Sequence, residues 1–212
     1  MKIDKSFLKY ISINDTYTIK LIGFNKNIKI IKIIEWCENF YHDNRQIIKY
    51  KINIEQIPKK LEKLICENIN IYQLTDLPDS LEELICKKTK LSEFTNLPSR
   101  LKYLDCSHNQ LTNLDNLPNL IKYLNCSYNN IKYLDNLNNN LEYLDCSHNN
   151  LTNLDNLPNS IKYLFTTGNN IKNMLYLPNS LIKLNSAVYS DIQSRDKCIK
   201  LLEKYNYTMA YK

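Results

Sequence analysis

Glycine is nearly missing from this sequence: 212 residues contain two, Gly23 and Gly168. That excludes a glycine-rich loop of the kind that cradles phosphates. Long apolar runs are missing as well, and no stretch approaches the ~20 residues that a bilayer-spanning helix needs. The opening Met1-Lys-Ile-Asp-Lys-Ser-Phe is charged and has no apolar segment ending in a small-residue cleavage site, so no secretory leader is expected. The seven cysteines are an odd number and cannot all pair.

Five of those cysteines, Cys66, Cys86, Cys106, Cys126 and Cys146, stand 20 residues apart. That is the spacing of a packing position rather than of a disulfide framework, and it suits a reducing, intracellular compartment. Apolar residues make up 43% and charged residues 24%, the balance of a soluble globular chain long enough to bury a core. The net charge of +6 is uneven. Residues 1–60 carry 12 Lys/Arg against 6 Asp/Glu, and residues 61–212 carry 16 against 16, so the excess lies at the N-terminal end. Scattered lysines of this kind read as a solvated face, which argues against nucleic acid as the partner.

The rest of the chain follows one segment. Leu101-Lys-Tyr-Leu-Asp-Cys-Ser-His-Asn-Gln-Leu-Thr-Asn-Leu-Asp-Asn-Leu-Pro-Asn-Leu120 returns almost unchanged at residues 141–160, with a third copy at 121–140. Units begin at Leu61, Leu81, Leu101, Ile121, Leu141, Ile161 and Leu181. All six prolines (58, 78, 98, 118, 158 and 178) hold the eighteenth place, and Asn138 alone interrupts the series. A fixed period of this length signals stacked units that bury their apolar faces against one another.

Within a unit the fourth and sixth places alternate as in a strand, sending Leu104 and Cys106 to one side. Asn109, Asn129, Asn149 and Asn169 follow where the chain leaves the strand, placed to satisfy backbone groups of the turn. Ile69 and Thr89 hold that place earlier, where the ladder should be imperfect. Leu111, Leu114 and Leu117 point inward from a return leg that is too short, and too close to proline, for a helix. A broad strand side and a thin, extended or polyproline-like return side bend the stack into a horseshoe with a parallel sheet on its concave side.

This skeleton resembles the leucine-rich repeat family over roughly residues 47–188. The 20-residue length and Leu-Pro junction are similar to the short repeats of effector proteins from Gram-negative pathogens. The wording Leu-Asp-Cys-Ser-His-Asn-Asn-Leu is similar to repeat proteins of giant amoeba viruses, which would place the chain in a host cytoplasm. The resemblance implies a solenoid and says little about activity. Pathogen effectors that act as ubiquitin ligases carry a separate catalytic domain, which the ~25 residues after these repeats cannot supply. Residues 1–46 are expected to form an N-terminal cap or degenerate repeats, one alignment giving Ile31-x-x-Ile34-x-Trp36 the repeat skeleton. Residues 189–212 are expected to form a helical C-terminal cap, with Ile199, Leu202 and Tyr205 on one face.

The third, fifth, seventh and eighth places should line the concave side. Its middle holds a column of Tyr103, Tyr123, Tyr143 and Tyr163 beside Asp105, Asn125 and Asp145, then His108, Tyr128 and His148. Tyrosine offers stiff amphipathic contact area. Cross-strand stacking of the rings is the structural alternative, and a stacked ladder is also a preorganised one.

No catalytic constellation assembles. Cys-x-Ser-His sends cysteine inward and histidine outward. The cysteine row is not a tetrahedral metal site, and His108 and His148 lie about 10 Å apart by strand spacing. The expectation is a monomeric, non-enzymatic, protein-binding scaffold without cofactor, metal or membrane span. The alternative is an adaptor in which residues 1–46 recruit ubiquitin-ligase machinery of a host.

Overall fold

The computed structural model describes residues 8–13, 16–21, 29–34, 49–53, 58–69, 71–172, 174 and 176–186. Its strands are β1 (Leu8–Ile13), β2 (Thr16–Leu21), β3 (Ile30–Ile34), β4 (Lys49–Asn53), β5 (Lys63–Glu67) and β6 (Ile71–Leu74). They continue as β7 (Glu83–Ile85), β8 (Tyr103–Asp105), β9 (Tyr123–Asn125), β10 (Tyr143–Asp145), β11 (Tyr163–Phe165) and β12 (Lys183–Asn185). The expected helix within residues 189–212 lies outside the described residues.

Eight strands form one parallel sheet in the order β3, β5, β7, β8, β9, β10, β11, β12. Register is kept at like places throughout the repeats: Tyr103, Tyr123, Tyr143 and Tyr163 are successive partners, as are Leu104, Leu124, Leu144 and Leu164. Each strand is three residues long from β7 onward because only the third to fifth places are extended. The alternation then buries one side chain and leaves two partly exposed.

The core is the predicted one. Leu101, Leu104, Cys106 and Leu111 are fully buried, as are their equivalents in the next two units. Burying each such leucine stabilises the fold by about 1.5–3 kcal/mol, and the neighbouring unit supplies half of its surroundings. At the unit junction the backbone N–H of the next first-place residue donates to the eighteenth-place carbonyl, as in Leu101 N to Pro98 O at 3.1 Å. Asn138 makes the same turn, with Leu141 N to its carbonyl at 3.3 Å. Its Oδ1 also accepts the N–H of Asn140 at 2.9 Å, the local bond that makes asparagine a good turn opener.

The N-terminal end departs from the expected register. Ile31 pairs with Leu64 and Ile33 with Cys66, so Ile31 stands at a fourth place rather than at the first place that the alignment gave it. The separation from Ile31 to Leu64 is 33 positions, against 20 from Leu64 to Leu84. The return leg is also stranded here. A second sheet, in the order β1, β2, β4, β6, uses the Ile71–Leu74 segment, whereas later return legs are turns and irregular backbone. Ile71, β-branched, and Tyr72, aromatic, favour a strand in this four-residue run, while the Asn- and Asp-rich later legs favour turns.

Candidate functional site

The asparagine ladder fixes the turn that leaves each strand. Asn129 Nδ2 donates to the carbonyls of Cys106 and Cys126, both at 3.0 Å, and its Oδ1 accepts the N–H of Leu111 at 2.9 Å. Asn109, Asn149 and Asn169 repeat this, each tying its own unit to the one before. Thr89 manages part of it: its hydroxyl donates to Cys86 O at 2.9 Å, and its N–H uses Asn109 Oδ1. The cysteine thiols sit under the same turn, Cys106 Sγ reaching Asn125 O at 3.4 Å and Thr166 Oγ1 reaching Asn185 O at the same distance. Burial pushes the Cys66 thiol up to about 12 and the thiols of Cys86, Cys106 and Cys126 well above their ordinary range, with neighbouring thiols and carboxylates adding to the effect. These are packing groups and poor nucleophiles.

With the turn fixed, the opposite side of the sheet carries the tyrosines. Tyr103 and Tyr123 stack at 4.1 Å with planes 5° apart, and Tyr123 and Tyr143 at 4.2 Å and 12°. The column then loosens, because Tyr163 tilts 34° from Tyr143 at 6.3 Å and is 38% exposed. Phe165 fills the gap, its ring 5.3 Å from Tyr143, with Lys183 Nζ 5.4 Å above it. At the other end Lys63 and Glu83 continue the third place as an ion pair. Desolvation and neighbouring tyrosines raise the Tyr123 phenol, and desolvation raises that of Tyr143.

Beside the column, Asp105, Asn125 and Asp145 each accept the N–H of the serine two residues on, all at 3.0 Å. Beyond them along the strand direction His108, Tyr128 and His148 form a second stack, with centroids 4.2 and 4.1 Å apart. The tyrosine column and the Asp–Asn row beside it stand at the expected places, whereas the stacking of His108 and His148 on Tyr128 was not predicted. The seventh place follows in part: Ser107 and Ser127 are buried, whereas Ser147 and Thr167 are partly exposed.

The eighth place carries a constraint that the sequence reading missed. Asn68, Lys88, His108, Tyr128, His148 and Gly168 all have φ between 53 and 72°, the left-handed turn region. Gly168 and Asn68 are the residue types that signal it, whereas histidine and tyrosine there conceal it. A Cβ on Gly168 would meet His148 Nδ1 at 2.5 Å, so the glycine leaves room for the ring that ends the stack. The lysine and glutamate ladder at the second place, for example Lys102 to Glu82 at 2.8 Å and Lys162 to Glu142 at 2.7 Å, was also unread. Exposed pairs of this kind add little to stability.

Among the described residues no group of three His, Cys, Asp or Glu could hold a metal, and no helix is long and apolar enough to cross a membrane.

No family model matches the chain, and neither does any curated protein. Solved structures do. YopM from Yersinia enterocolitica superposes with a TM-score of 0.66 at 31% identity, over 78% of this chain and 34% of that one. YopM of Yersinia pestis, a leucine-rich effector protein, gives 0.62 at 26% identity, over 77% and 49%. A Shigella effector leucine-rich repeat domain gives 0.53 at 20% identity, over 69% and 78%, a likeness of fold. The chain thus spans between a third and a half of the two YopM chains. With its in-phase 20-residue units, inward Leu and Cys, and one parallel strand per unit, the chain belongs to the leucine-rich repeat family.

Proposed function

We propose that this solenoid is a non-enzymatic scaffold that binds a partner protein across the exposed face of its eight-stranded sheet. Tyr103, Tyr123, Tyr143 and Tyr163 are the anchors, and Asp105, Asn125, Asp145, His108, Tyr128 and His148 flank them. The observation that carries this is the stacking of Tyr103, Tyr123 and Tyr143 at 4.1–4.2 Å while each residue stays partly exposed. Rings held in this way lose little freedom on binding, so less of the contact energy is spent on ordering them. The likeness to bacterial effector repeats supports a scaffold role.

The buried unpaired thiols support a reducing compartment. The strand pairing of β3 with β5, of β1 with β2 and of β2 with β4 supports a capping role for the N-terminal segment rather than recruitment of ubiquitin-ligase machinery.

A photo-crosslinking amino acid placed at Tyr143 and, as control, at Tyr133 tests the reading. Tyr133 lies on the return side and is 62% exposed, so accessibility is no handicap there. Adducts with a protein from position 143 and none from 133 are expected. The reverse pattern would refute it.

A further inference from the structure

The third place carries three phenols face to face on adjacent strands. Tyr103 and Tyr123 have ring centroids 4.1 Å apart and planes within 5°, and Tyr123 and Tyr143 follow at 4.2 Å and 12°. Strand register imposes this, since like places on neighbouring strands lie ~4.8 Å apart. Each of the three residues is partly exposed, so an electron can leave toward solvent and the hydroxyl proton can follow it. Cys106, Cys126 and Cys146, whose thiols would quench an oxidised phenol, are fully buried on the other side of the sheet. An electron-deficient ring at Tyr123 is flanked on both faces by neutral rings, and their negative faces attract positive charge.

We propose that this column is an oxidative modification site, in which Tyr123 is joined to Tyr103 or Tyr143 as dityrosine. The reagent is a one-electron oxidant of the peroxidase class, with hydrogen peroxide as the final electron acceptor. The chemistry needs no partner on this face. Each phenol gives up one electron and its hydroxyl proton, leaving a phenoxyl radical with spin density on the ring carbons next to the oxygen. Two such carbons on facing rings join in a new carbon–carbon bond. The hydrogens they carried leave as protons while the oxygens regain protons, which restores both phenols. The net loss of two electrons and two protons converts one hydrogen peroxide to two waters.

Stacking rather than exposure selects the pair. Tyr133 and Tyr176 are more accessible, at 62% and 70%, and radicals there would couple between molecules in a yield that rises with concentration. Tyr128 lies between His108 and His148, so neither of its faces meets a second phenol. Tyr163 stands 6.3 Å from Tyr143 and tilts by 34°, with Phe165 closer at 5.3 Å, so that pair is out of position. Neighbours already held face to face couple without the encounter that radicals in solution require.

The test oxidises the full chain in dilute solution with a haem peroxidase and hydrogen peroxide, isolates the monomer and reduces any disulfides. Dityrosine fluorescence and a mass lower by two hydrogens mark the product, and fragmentation of a protease digest locates it. Links of Tyr123 with Tyr103 and with Tyr143 are expected, at a yield independent of protein concentration. Tyr123→Phe keeps a ring in the stack and should lose both links, whereas Tyr163→Phe should keep both. The chain oxidised in urea should give links scattered over other tyrosines. Absence of dityrosine from the oxidised monomer, equal yields in the two variants, or the same two links at equal yield from the unfolded chain would each overturn the proposal.

Discussion

Asn129 Oδ1 accepts the backbone N–H of Leu111, 18 positions upstream, at 2.9 Å. One amide thereby closes the turn of its own unit and holds the return leg of the unit before it. Repeated at Asn109, Asn149 and Asn169, it makes neighbouring turns structurally dependent on each other and holds the exposed rings in register.

Asn129→Ala removes that acceptor and the donor to two carbonyls, all buried. Leaving such groups unpaired should cost about 3–5 kcal/mol by denaturant unfolding. Asn129→Thr should cost less, because Thr89 keeps one of the carbonyl bonds at the same place of its unit. Equal losses for the two variants would refute the ladder.

Burial holds the thiols neutral, with Cys66 pushed up to about 12. A variant with Cys37→Ser and Cys198→Ser should show no reaction with a disulfide reagent at pH 8 until it is unfolded. The folded pKa lies above the unfolded value of about 8.5, so the stabilisation is complete below that value and is lost as pH rises toward 12. Melting temperature should therefore fall in alkali. Rapid labelling of the folded chain would contradict the burial.

Asn138 stands where six other units have proline, and its carbonyl already closes the same turn. Asn138→Pro should stabilise the chain by about 0.4–1 kcal/mol through the unfolded state, raising Tm by roughly 1–4 °C. A lowered Tm would show that the Asn138 amide bond to Pro118 O, 3.4 Å long, matters more.

Gly168→Ala combines φ of 72° with a Cβ 2.5 Å from the His148 ring. It should cost about 1–2 kcal/mol from the left-handed backbone alone, with more from the ring contact. Adding His148→Ala should restore only that second part. No recovery would place the whole cost in the backbone.

The period carried most of the fold. Leu104 and Cys106 at alternate places could only face a shared core, and the asparagine following them had turn groups to satisfy. Two things stayed hidden. The Ile30–Ile34 run is apolar at every place except Lys32, so it fits several registers, and only pairing with Leu64 selects one. The left-handed eighth place is masked by residue type, since nothing in a histidine or a tyrosine marks positive φ, and it is this backbone that carries His108, Tyr128 and His148. The tyrosine column was legible as a column because strand register preserves sequence spacing. Its loosening at Tyr163 was not, because it depends on Phe165 entering beside Tyr143.

The claim on which the functional account stands is that the ringed face captures the partner. Its most direct test compares the natural chain with Tyr123→Ala/Tyr143→Ala for binding to the protein crosslinked at position 143, with unfolding measured on both. At least a ten-fold loss of affinity in a chain that still unfolds cooperatively is predicted, the scale of removing two buried aromatic anchors. Unchanged affinity in that folded variant would contradict the account.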